Sequence, residues 1–393
     1  MIVKKIFQIL SVLAAGMILM GMGSGGDDPV SSTPPVVNDE FSVIIASDPQ
    51  LWWNSIDDVS GFSDSDVEAY NKKHRNAMKE LIAGNGLPAG FTSPVALIMN
   101  GDLTEYGRGD QWDAYNNIYD SVGVQIYDGL GNHDYANNSP SAGGTGCRPQ
   151  AEDIAEFTAL CAAFDWFGAD QVWGDDACTV IYNMSTEGED WCANDSMRRM
   201  LYWLDTNGGL INSYDPGSAA YSFDIGGVHF IQLQNYPTYS VPAIGVSSSI
   251  DWLKEDLDDA VYKNKWIVIN MHDMVDHFKG FENTEFLNAL NGYENNILGI
   301  FAGHYHRYTG YAKDISSNYK DVTVNGRSIP WFYSGSSTYN AFNLVSFDSN
   351  GMTVQPINSN SGTPVHYSGK TYVNSDVGGK SAILTAPKTI PYP

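Results

Sequence analysis

Residues 297–306 read ILGIFAGHYH, an apolar run that ends in a glycine and two alternate histidines. The run Ile297–Ala302 is short, apolar and bounded by the glycine, which favours a buried β-strand. Successive side chains of an extended segment point to opposite faces, so His304 and His306 face the same side. The stretch therefore predicts a buried strand with two imidazoles gathered at its carboxyl end.

Four further apolar runs are followed by Asp, Asn or His side chains in the same way. These strands are predicted at Phe41–Ser47, Pro94–Met99, Gly123–Tyr127 and Trp266–Met271. The polar segments that come after them are Asp48-Pro49-Gln50, Gly101-Asp102, Gly131-Asn132-His133-Asp134 and His272. In open α/β sheets, ligand sites form outside the carboxyl ends of the strands. All five segments are therefore expected at one edge of the fold.

The pattern between these strands is helical, and the alternation of strand and helix indicates an α/β core. The first helix is predicted from Asp64 to Ala83, with Ser63 or Ser65 as N-cap and Gly84 as C-cap. Other predicted elements are helices Gln111–Tyr119, Ser249–Tyr262 and Glu282–Leu290 and a hairpin of Tyr221–Ile225 with Val228–Leu233. Beyond residue 307 the chain is rich in Tyr, Ser and Gly, which predicts short strands.

The residue types in the five segments indicate a metal centre. Carboxylate, amide and imidazole ligands together suit Mn, Fe, Zn or a similar first-row ion. Two adjacent cations need a bridging carboxylate to offset their repulsion. Each segment alone is a weak signal, because an Asp after a strand is often a turn former and a lone His is usually not a ligand. The signal lies in all five occurring in this order.

The ordered set resembles the calcineurin-like metallophosphoesterase family, which includes purple acid phosphatases and acid sphingomyelinase. The connecting segments at 221–233, 250–257, 266–272 and 300–308 are also similar to that family. The resemblance covers roughly residues 41–312, apart from a cysteine-containing insertion. It implies an α/β fold of four layers, αββα, with two metal ions at one end of the two sheets.

The resemblance also implies a role for each residue. One ion would be held by Asp48, Asp102, His306 and Gln50, and the other by Asp102, Asn132, His272 and His304. His133 would protonate the leaving oxygen, with Asp134 as its orienting partner. The family usually has His where this chain has Gln50, which leaves the strength of the first site and the identity of the metals (Mn, Fe or Zn) open.

The function implied is hydrolysis of a phosphodiester, of the phospholipase C or sphingomyelinase kind, by a hydroxide that bridges the metals. Phosphomonoesterase and nucleotidase are alternatives, and a catalytically weak surface-binding pseudoenzyme is an alternative of another class. Aromatic side chains flank the ligand segments and are candidate contacts for a small-molecule or lipid substrate: Trp52, Trp53, Tyr135 and Tyr305. Ordinary packing would account for about half of such aromatics. His277 is a further candidate near the substrate, although a lone His is more often a surface residue.

The N-terminal sequence indicates export. Lys4 and Lys5 precede an apolar run at Ile6–Met20, so residues 1–26 are predicted as a bacterial-type signal peptide rather than a stable membrane anchor. Residues 27–40 are predicted as a linker, 41–347 as the metallophosphoesterase domain and 348–393 as a β-rich C-terminal extension. A secreted or periplasmic protein with a net charge of −25 is not expected to bind nucleic acid.

Residues 140–215 interrupt the strand–helix alternation and contain all the cysteines. An even, clustered set in an exported chain predicts two disulfides, and the spacing leaves three pairings of Cys147, Cys161, Cys178 and Cys192 open. The segment is therefore predicted as an insertion stapled by disulfides, with one helix at Ala151–Phe164.

Overall fold

The computed structural model describes residues 35, 37, 39–56, 59–140, 143, 144, 147, 190–369, 371–374 and 380–393. The predicted signal peptide, most of the predicted linker and the predicted helix Ala151–Phe164 lie outside these residues. So do Cys161 and Cys178.

Within the described residues the α-helices are α1 Asp64–Ile82, α2 Gly109–Tyr119, α3 Trp191–Thr206, α4 Ile250–Tyr262, α5 Thr284–Ala289 and α6 Ala312–Ile315. Helix α1 begins at the predicted cap Ser63, whose side chain accepts a hydrogen bond from the Asp66 N–H while the Asp66 carboxylate accepts one from the Ser63 N–H. It ends at Ile82 with Ala83 as the C-cap, and Gly84, the predicted C-cap, comes one residue later with a φ of +87°. None of the described helices is both long and apolar enough to cross a bilayer.

The predicted strands of the core agree with the structure to within two residues. The strands are β1 Phe41–Ala46, β2 Ser55–Ile56, β3 Val59–Ser60, β4 Pro94–Met99, β5 Gln125–Asp128, β6 Ser213–Tyr214, β7 Tyr221–Ile225, β8 Val228–Gln232, β9 Trp266–Met271 and β10 Ile297–Ala302. They continue with β11 Tyr308–Tyr311, β12 Val322–Val324, β13 Arg327–Ile329, β14 Trp331–Ser334, β15 Ala341–Asp348, β16 Gly351–Asn358, β17 Val365–His366, β18 Thr371–Asn374, β19 Ser381–Leu384 and β20 Lys388–Pro391.

Two mixed sheets form the core. The first has seven strands in the order β17-β16-β15-β1-β4-β5, with β20 beside β16, and its strands β1, β4 and β5 are parallel. The second has nine strands in the order β18-β19-β11-β14-β10-β9-β8-β7-β6, and β8, β9, β10 and β14 are parallel. Of the five strands that precede the ligand segments, β1, β4 and β5 lie in the first sheet, where β5 is an edge strand, and β9 and β10 lie in the interior of the second.

The two sheets pack face to face through aromatic side chains. Phe230 of β8 meets Phe347 of β15 with ring centroids 5.7 Å apart, and Phe347 stacks on Phe41 of β1 at 4.9 Å. On the outer face of the first sheet, the His74 ring of α1 lies 5.3 Å from Phe342. Because alternate residues of β15 face opposite sides, this sheet separates α1 from the second sheet.

Strand β9 shows the same alternation in the second sheet. Trp266 and Val268 belong to the cluster between the sheets, whereas Ile267 and Ile269 pack with helix α4 on the outer face. Burying such a strand on both faces favours a nearly continuous apolar run, and its sequence WIVINM has one polar residue, Asn270. The layers are therefore helix, sheet, sheet and helix, which confirms the predicted α/β fold.

The C-terminal segment is built into both sheets, across the predicted boundary at residues 347–348. Strand β15 pairs with β16 from Ala341–Asn358 to Asp348–Gly351. The polar residues between them form a tight turn, in which the Asp348 carboxylate accepts the N–H groups of Asn350 and Gly351 at 2.6 and 3.1 Å. This turn joins two strands of one sheet rather than ending a domain. Strands β18 and β19 then extend the second sheet.

The end of the predicted insertion also belongs to the core. Helix α3 was not predicted, yet its Met200 and Leu204 are buried in the main apolar cluster. The Trp112 indole of α2 donates to the Ser196 hydroxyl at 3.2 Å. An apolar stripe on one face of α3 accounts for this packing, although polar residues on its other face mask the period.

A disulfide joins Cys147 to Cys192 at the start of α3, with Cα atoms 5.4 Å apart. It is one of the bonds allowed by the three pairings that the sequence leaves open. The Trp191 side chain packs against both half-cystines. The second disulfide stays a prediction, because its cysteines lie outside the described residues.

Candidate metal centre

The five predicted segments meet beyond the carboxyl ends of β1, β4, β5, β9 and β10. Beyond β1 and β4, the parallel pairing continues into the loops, with Asp48 N–H bonded to Gly101 O at 3.0 Å and Gln50 N–H to Asp102 O at 2.8 Å. The second sheet joins this edge through the His304 N–H, which donates to Asp48 Oδ2 at 3.1 Å. The site is therefore built where the two sheets end side by side.

Backbone strain is concentrated at this edge. Asp48, Gln50, Asp102 and His304 have φ angles of 53°, 42°, 52° and 69°, which non-glycine residues seldom adopt. Such conformations persist only where the surrounding structure enforces them, and they cluster at functional sites. Here the loop-to-loop hydrogen bonds hold the strained residues with their side chains turned toward one another.

Two clusters of ligand-type atoms share Asp102. One cluster consists of Asp102, His272 and His304, and the other of Asp48, Asp102 and His306, with all atoms of each cluster within 4.8 Å of one another. Asp102 Oδ2 lies 3.0 Å from His272 Nε2, and Asp48 Oδ1 lies 3.3 Å from His306 Nε2. A carboxylate common to two such clusters is the arrangement that a pair of cations requires.

Several ligand-type atoms of the site lack hydrogen-bond partners in the described part of the chain, and metal ions would take the place of those partners. Asp48 Oδ1, Gln50 Oε1, Asp102 Oδ2 and His272 Nε2 are buried and have no hydrogen-bond partner among the described residues. An unpaired buried polar atom costs about 1–3 kcal/mol. Several such atoms gathered in one place point to bound ions.

The histidines are oriented by contacts behind the site. His272 Nδ1 is 2.8 Å from the Asn100 carbonyl oxygen, which requires the proton on Nδ1 and leaves Nε2 to act as a ligand. His304 instead turns Nδ1 toward Asn132 Oδ1, 3.0 Å away. Asn132 therefore lies beside the cluster of Asp102, His272 and His304, which is where the family resemblance implies it.

The electrostatics of the clusters follow from burial and from their shared carboxylate. Burial would raise the pKa of Asp102, but His272 and His133 outweigh it and lower that pKa. Burial lowers the pKa of His272, yet Asp102 raises it to about 9. Burial and His272 lower the pKa of His304. Since metals bind neutral imidazole, loading this site would release protons.

The amide of Gln50 is fixed in one orientation. Its Nε2 donates to Glu105 Oε2 at 2.9 Å, so Oε1 is the end that is left without a partner. An amide oxygen is able to ligate a metal, whereas the NH₂ group is not. Gln50, on the loop that carries Asp48, thus has its ligating end available.

His133 is oriented by Glu105 and not by Asp134. Its Nδ1 lies 3.0 Å from Glu105 Oε2. The Asp134 carboxylate instead accepts the backbone N–H groups of Leu103, Thr104 and Gly131. The predicted role of Asp134 as the partner of His133 is therefore wrong, because backbone donors already occupy its carboxylate oxygens.

The protonation of His133 reflects the acidic groups around it. Burial lowers the pKa of His133, but Asp102 and Glu105 together raise it to about 9. An imidazolium near neutral pH suits a group that donates a proton to a leaving oxygen. Because Glu105 holds Nδ1, Nε2 is the nitrogen through which His133 could donate a proton.

The four predicted aromatic contacts do not share one environment. The Trp53 ring lies 4.6 Å from His306 and 6.2 Å from His133, beside the proposed reaction centre. Tyr305 is 36% exposed and its ring lies 5.4 Å from His304. The Trp52 indole N–H instead donates to the Glu68 carboxylate of helix α1 at 3.3 Å.

Tyr135 is buried and cannot form a surface for a substrate. Its hydroxyl accepts the Asn235 N–H at 3.2 Å, and its ring lies 5.1 Å from Tyr239. The prediction that it contacts substrate is therefore wrong, because adjacency in sequence to Asp134 does not place its side chain at the mouth of the site.

Sequence reasoning missed two groups of residues that support the site. Ser336 donates to the His306 carbonyl at 3.0 Å, and Ser337 to the Pro49 carbonyl at 3.1 Å. The stretch around them, SGSSTYN at 334–340, contains no Asp, Glu, His or Cys that would single it out. The other group is Asp273 and Asp276 beside His304: Asp273 forms a third cluster with His304 and with His277, the further candidate from the sequence, and Asp276 lies 3.5 Å from His304 Nε2.

A family profile and a plant phosphatase match the sequence of this chain. The family profile described as calcineurin-like phosphoesterase matches residues 41–308. Purple acid phosphatase 23 of Arabidopsis thaliana is 39% identical over 98 residues, which cover 22% of this chain and 20% of that protein. In that match the chain spans about a fifth of the relative's length.

Two solved structures also match the chain. A purple acid phosphatase from yellow lupin (Lupinus luteus) seeds has a TM-score of 0.46 at 11% identity, over 88% of this chain and 54% of that one. A dimetal phosphatase from Danio rerio has a TM-score of 0.46 at 12% identity, over 91% of this chain and 100% of that one. The family profile covers more than half of the chain and contains all five strand-end segments. The protein therefore belongs to the calcineurin-like phosphoesterase family of metal-dependent phosphoester hydrolases.

Proposed function

We propose that this chain is an exported enzyme that hydrolyses a phosphodiester, or a phosphate ester with a bulky organic arm. The observation that carries the hydrolytic part is the membership of Asp102 in both ligand clusters. The substrate class rests on the aromatic side chains beside those clusters, and export rests on the N-terminal sequence.

In this proposal Asp48, Gln50, Asp102 and His306 would hold one first-row ion. Asp102, Asn132, His272 and His304 would hold the other. When bound, the metal pair would supply an activated water and neutralise charge on the phosphoryl group. His133 donates its Nε2 proton to the leaving oxygen, and the buried surroundings of the clusters limit access of bulk water.

The aromatic groups favour an organic leaving group. Trp53 lies beside His133, so a group attached to the leaving oxygen would meet its ring. Burying one such group contributes about 1.5–3 kcal/mol, which corresponds to tenfold or more in selectivity. A diester carries one negative charge and a monoester up to two, and the net charge of −25 opposes the more highly charged substrate.

A phosphomonoesterase is the second candidate, because a purple acid phosphatase is a relative that matches the chain over 98 residues. The two are separated by comparing kcat/KM for bis(4-nitrophenyl) phosphate, 4-nitrophenyl phosphate and alkyl esters, after reconstitution with Mn²⁺, Fe²⁺ or Zn²⁺. We expect the diester to be hydrolysed faster. Monoesters winning by tenfold or more would replace the diesterase with a phosphatase, and hydrolysis without metal would refute the proposed mechanism.

A further inference from the structure

Glu105 lies between two parts of the site that the family resemblance treats separately. A single oxygen, Oε2, is 2.9 Å from Gln50 Nε2 and 3.0 Å from His133 Nδ1. The residue is 7% exposed, and its N–H donates to the Leu51 carbonyl at 3.2 Å. It was not among the predicted site residues, because its two partners lie 55 and 28 positions away in sequence.

The contact with Gln50 decides which end of the amide is available. If the amide turned over, its oxygen would face the Glu105 carboxylate, and two acceptors would oppose each other. The observed orientation leaves Oε1, which is buried and has no partner among the described residues. Glu105 therefore holds a weak ligand in the one orientation in which it is able to ligate.

The contact with His133 decides which imidazole nitrogen meets the substrate. A carboxylate that accepts from Nδ1–H fixes both the ring orientation and the nitrogen that faces outward. The same carboxylate oxygen also accepts from Gln50, so a shift of Glu105 would disturb both residues at once. The backbone pairing of Leu51 with Glu105 ties this oxygen to the loops that hold Asp48 and Asp102.

We propose that Glu105 is a positioning residue that joins the Gln50 side of the metal centre to the proton donor His133. The inference rests on the proposed function, in which Gln50 ligates a metal and His133 protonates the leaving oxygen. It predicts that loss of the Glu105 carboxylate weakens one metal site and impairs proton donation together.

The experiment compares wild type with Glu105→Ala and with Glu80→Ala, an exposed glutamate of α1 that serves as control. Zn²⁺ binding to metal-free protein is followed by calorimetry, and hydrolysis is measured on an alkyl and on a nitrophenyl diester. We expect Glu105→Ala to weaken one of the two Zn²⁺ sites by about 10- to 100-fold, as loss of a group that orients a ligand does. We also expect kcat to fall much more on the alkyl ester, because a poor leaving group needs its proton most.

The double variant Gln50→His/Glu105→Ala separates the two contacts. Imidazole ligates without help from Glu105, so Zn²⁺ affinity should return while the alkyl-ester defect remains. If Glu105→Ala does not fold, as judged by its circular dichroism and melting curve, Glu105→Gln takes its place with the same readouts.

Unchanged Zn²⁺ affinities, or an equal loss on both esters, would overturn the inference. Failure of the wild type to bind Zn²⁺ or to hydrolyse either ester would instead count against the proposed function. The two failures are therefore distinguishable.

Discussion

Asp102 connects more of the site than any other residue described above. Its Oδ1 accepts the His133 N–H at 2.8 Å, while its Oδ2 faces His272 Nε2. The residue also belongs to both ligand clusters and adopts a φ of 52°. Its carboxylate charge is what lowers the repulsion between two cations, so a neutral isostere should not replace it.

We predict that Asp102→Asn loses both metal ions. The amide keeps the size of the side chain and can still accept from the His133 N–H, so the fold should persist while the bridging charge is gone. Elemental analysis of purified protein should find close to no metal, and hydrolysis should fall by at least about 10³-fold. Asp110→Asn, on the exposed side of α2, is the control. Retention of two ions per chain by Asp102→Asn would contradict the bridging role.

A second prediction concerns Gly131, which lies against Asp102. A Cβ at Gly131 would meet Asp102 Oδ1 at 2.2 Å and the Asp102 backbone nitrogen at 2.5 Å. We expect Gly131→Ala to displace the carboxylate and to reduce both metal content and kcat. Gly208→Ala is the matched control, since a Cβ there would meet no atom within 4 Å. Equal metal content in the two variants would show that Asp102 tolerates the shift.

At the scale of elements, a buried ion cluster fastens helix α4 to the second sheet. His229 of β8 lies 2.8 Å from Asp224 of β7 and 2.8 Å from Asp256 of α4. Asp224 also pairs with Lys265 at 3.1 Å, and Asp256 accepts from Ser222. This cluster holds an edge of the sheet and is separate from the metal centre.

The cluster predicts a pH dependence of stability. Burial lowers the pKa of His229, but Asp224 and Asp256 outweigh it and raise that pKa to about 9. A group with a raised folded-state pKa stabilises the protein fully below its unfolded pKa of about 6.5 and loses that contribution as pH rises through 9. The free energy of unfolding should therefore fall by roughly 3 kcal/mol between pH 6.5 and 9.

Urea unfolding across this range, in wild type and in His229→Gln, measures the effect. The variant lacks the titrating ring, so the difference in stability between the two proteins should shrink as pH rises. A difference that stays constant from pH 6.5 to 9 would mean that His229 is not charged in the folded state.

The sequence predicted some of the secondary-structure elements and missed others. Apolar runs such as Trp266–Met271 identify central strands because both faces of these strands are buried. The polar face of α3 hides its apolar period, and the turn at Asp348–Gly351 has the composition of a domain boundary. Glu105 could not be assigned for a different reason: its importance comes from contacts between loops that are distant in sequence. Candidate ligands could be predicted because they come directly after apolar strands in the sequence. The residues that support these ligands could be identified only from the tertiary structure.

At the scale of the whole molecule, charge is the dominant feature. The chain has 46 acidic and 21 basic residues, so an anionic substrate approaches against a negative field. Screening of that field is weak at about 10 mM salt, where the Debye length is about 30 Å, and strong at about 150 mM, where it is about 8 Å. Association of an anionic ester should therefore depend on ionic strength.

We predict that kcat/KM rises with salt, and rises more for a dianion than for a monoanion. Raising KCl from about 10 to 150 mM should increase kcat/KM for 4-nitrophenyl phosphate roughly threefold or more at pH 8, and for bis(4-nitrophenyl) phosphate by a smaller factor. Each extra negative charge on the substrate adds its own repulsion, so the ratio of the two responses measures the field. Metal content is determined at both salt concentrations, to separate screening from loss of the ions. A decrease in kcat/KM with salt for both esters would mean that the positive charge of the loaded metal centre outweighs the acidic surface. The net charge would then give no preference for diesters, and substrate choice would rest on the aromatic side chains alone.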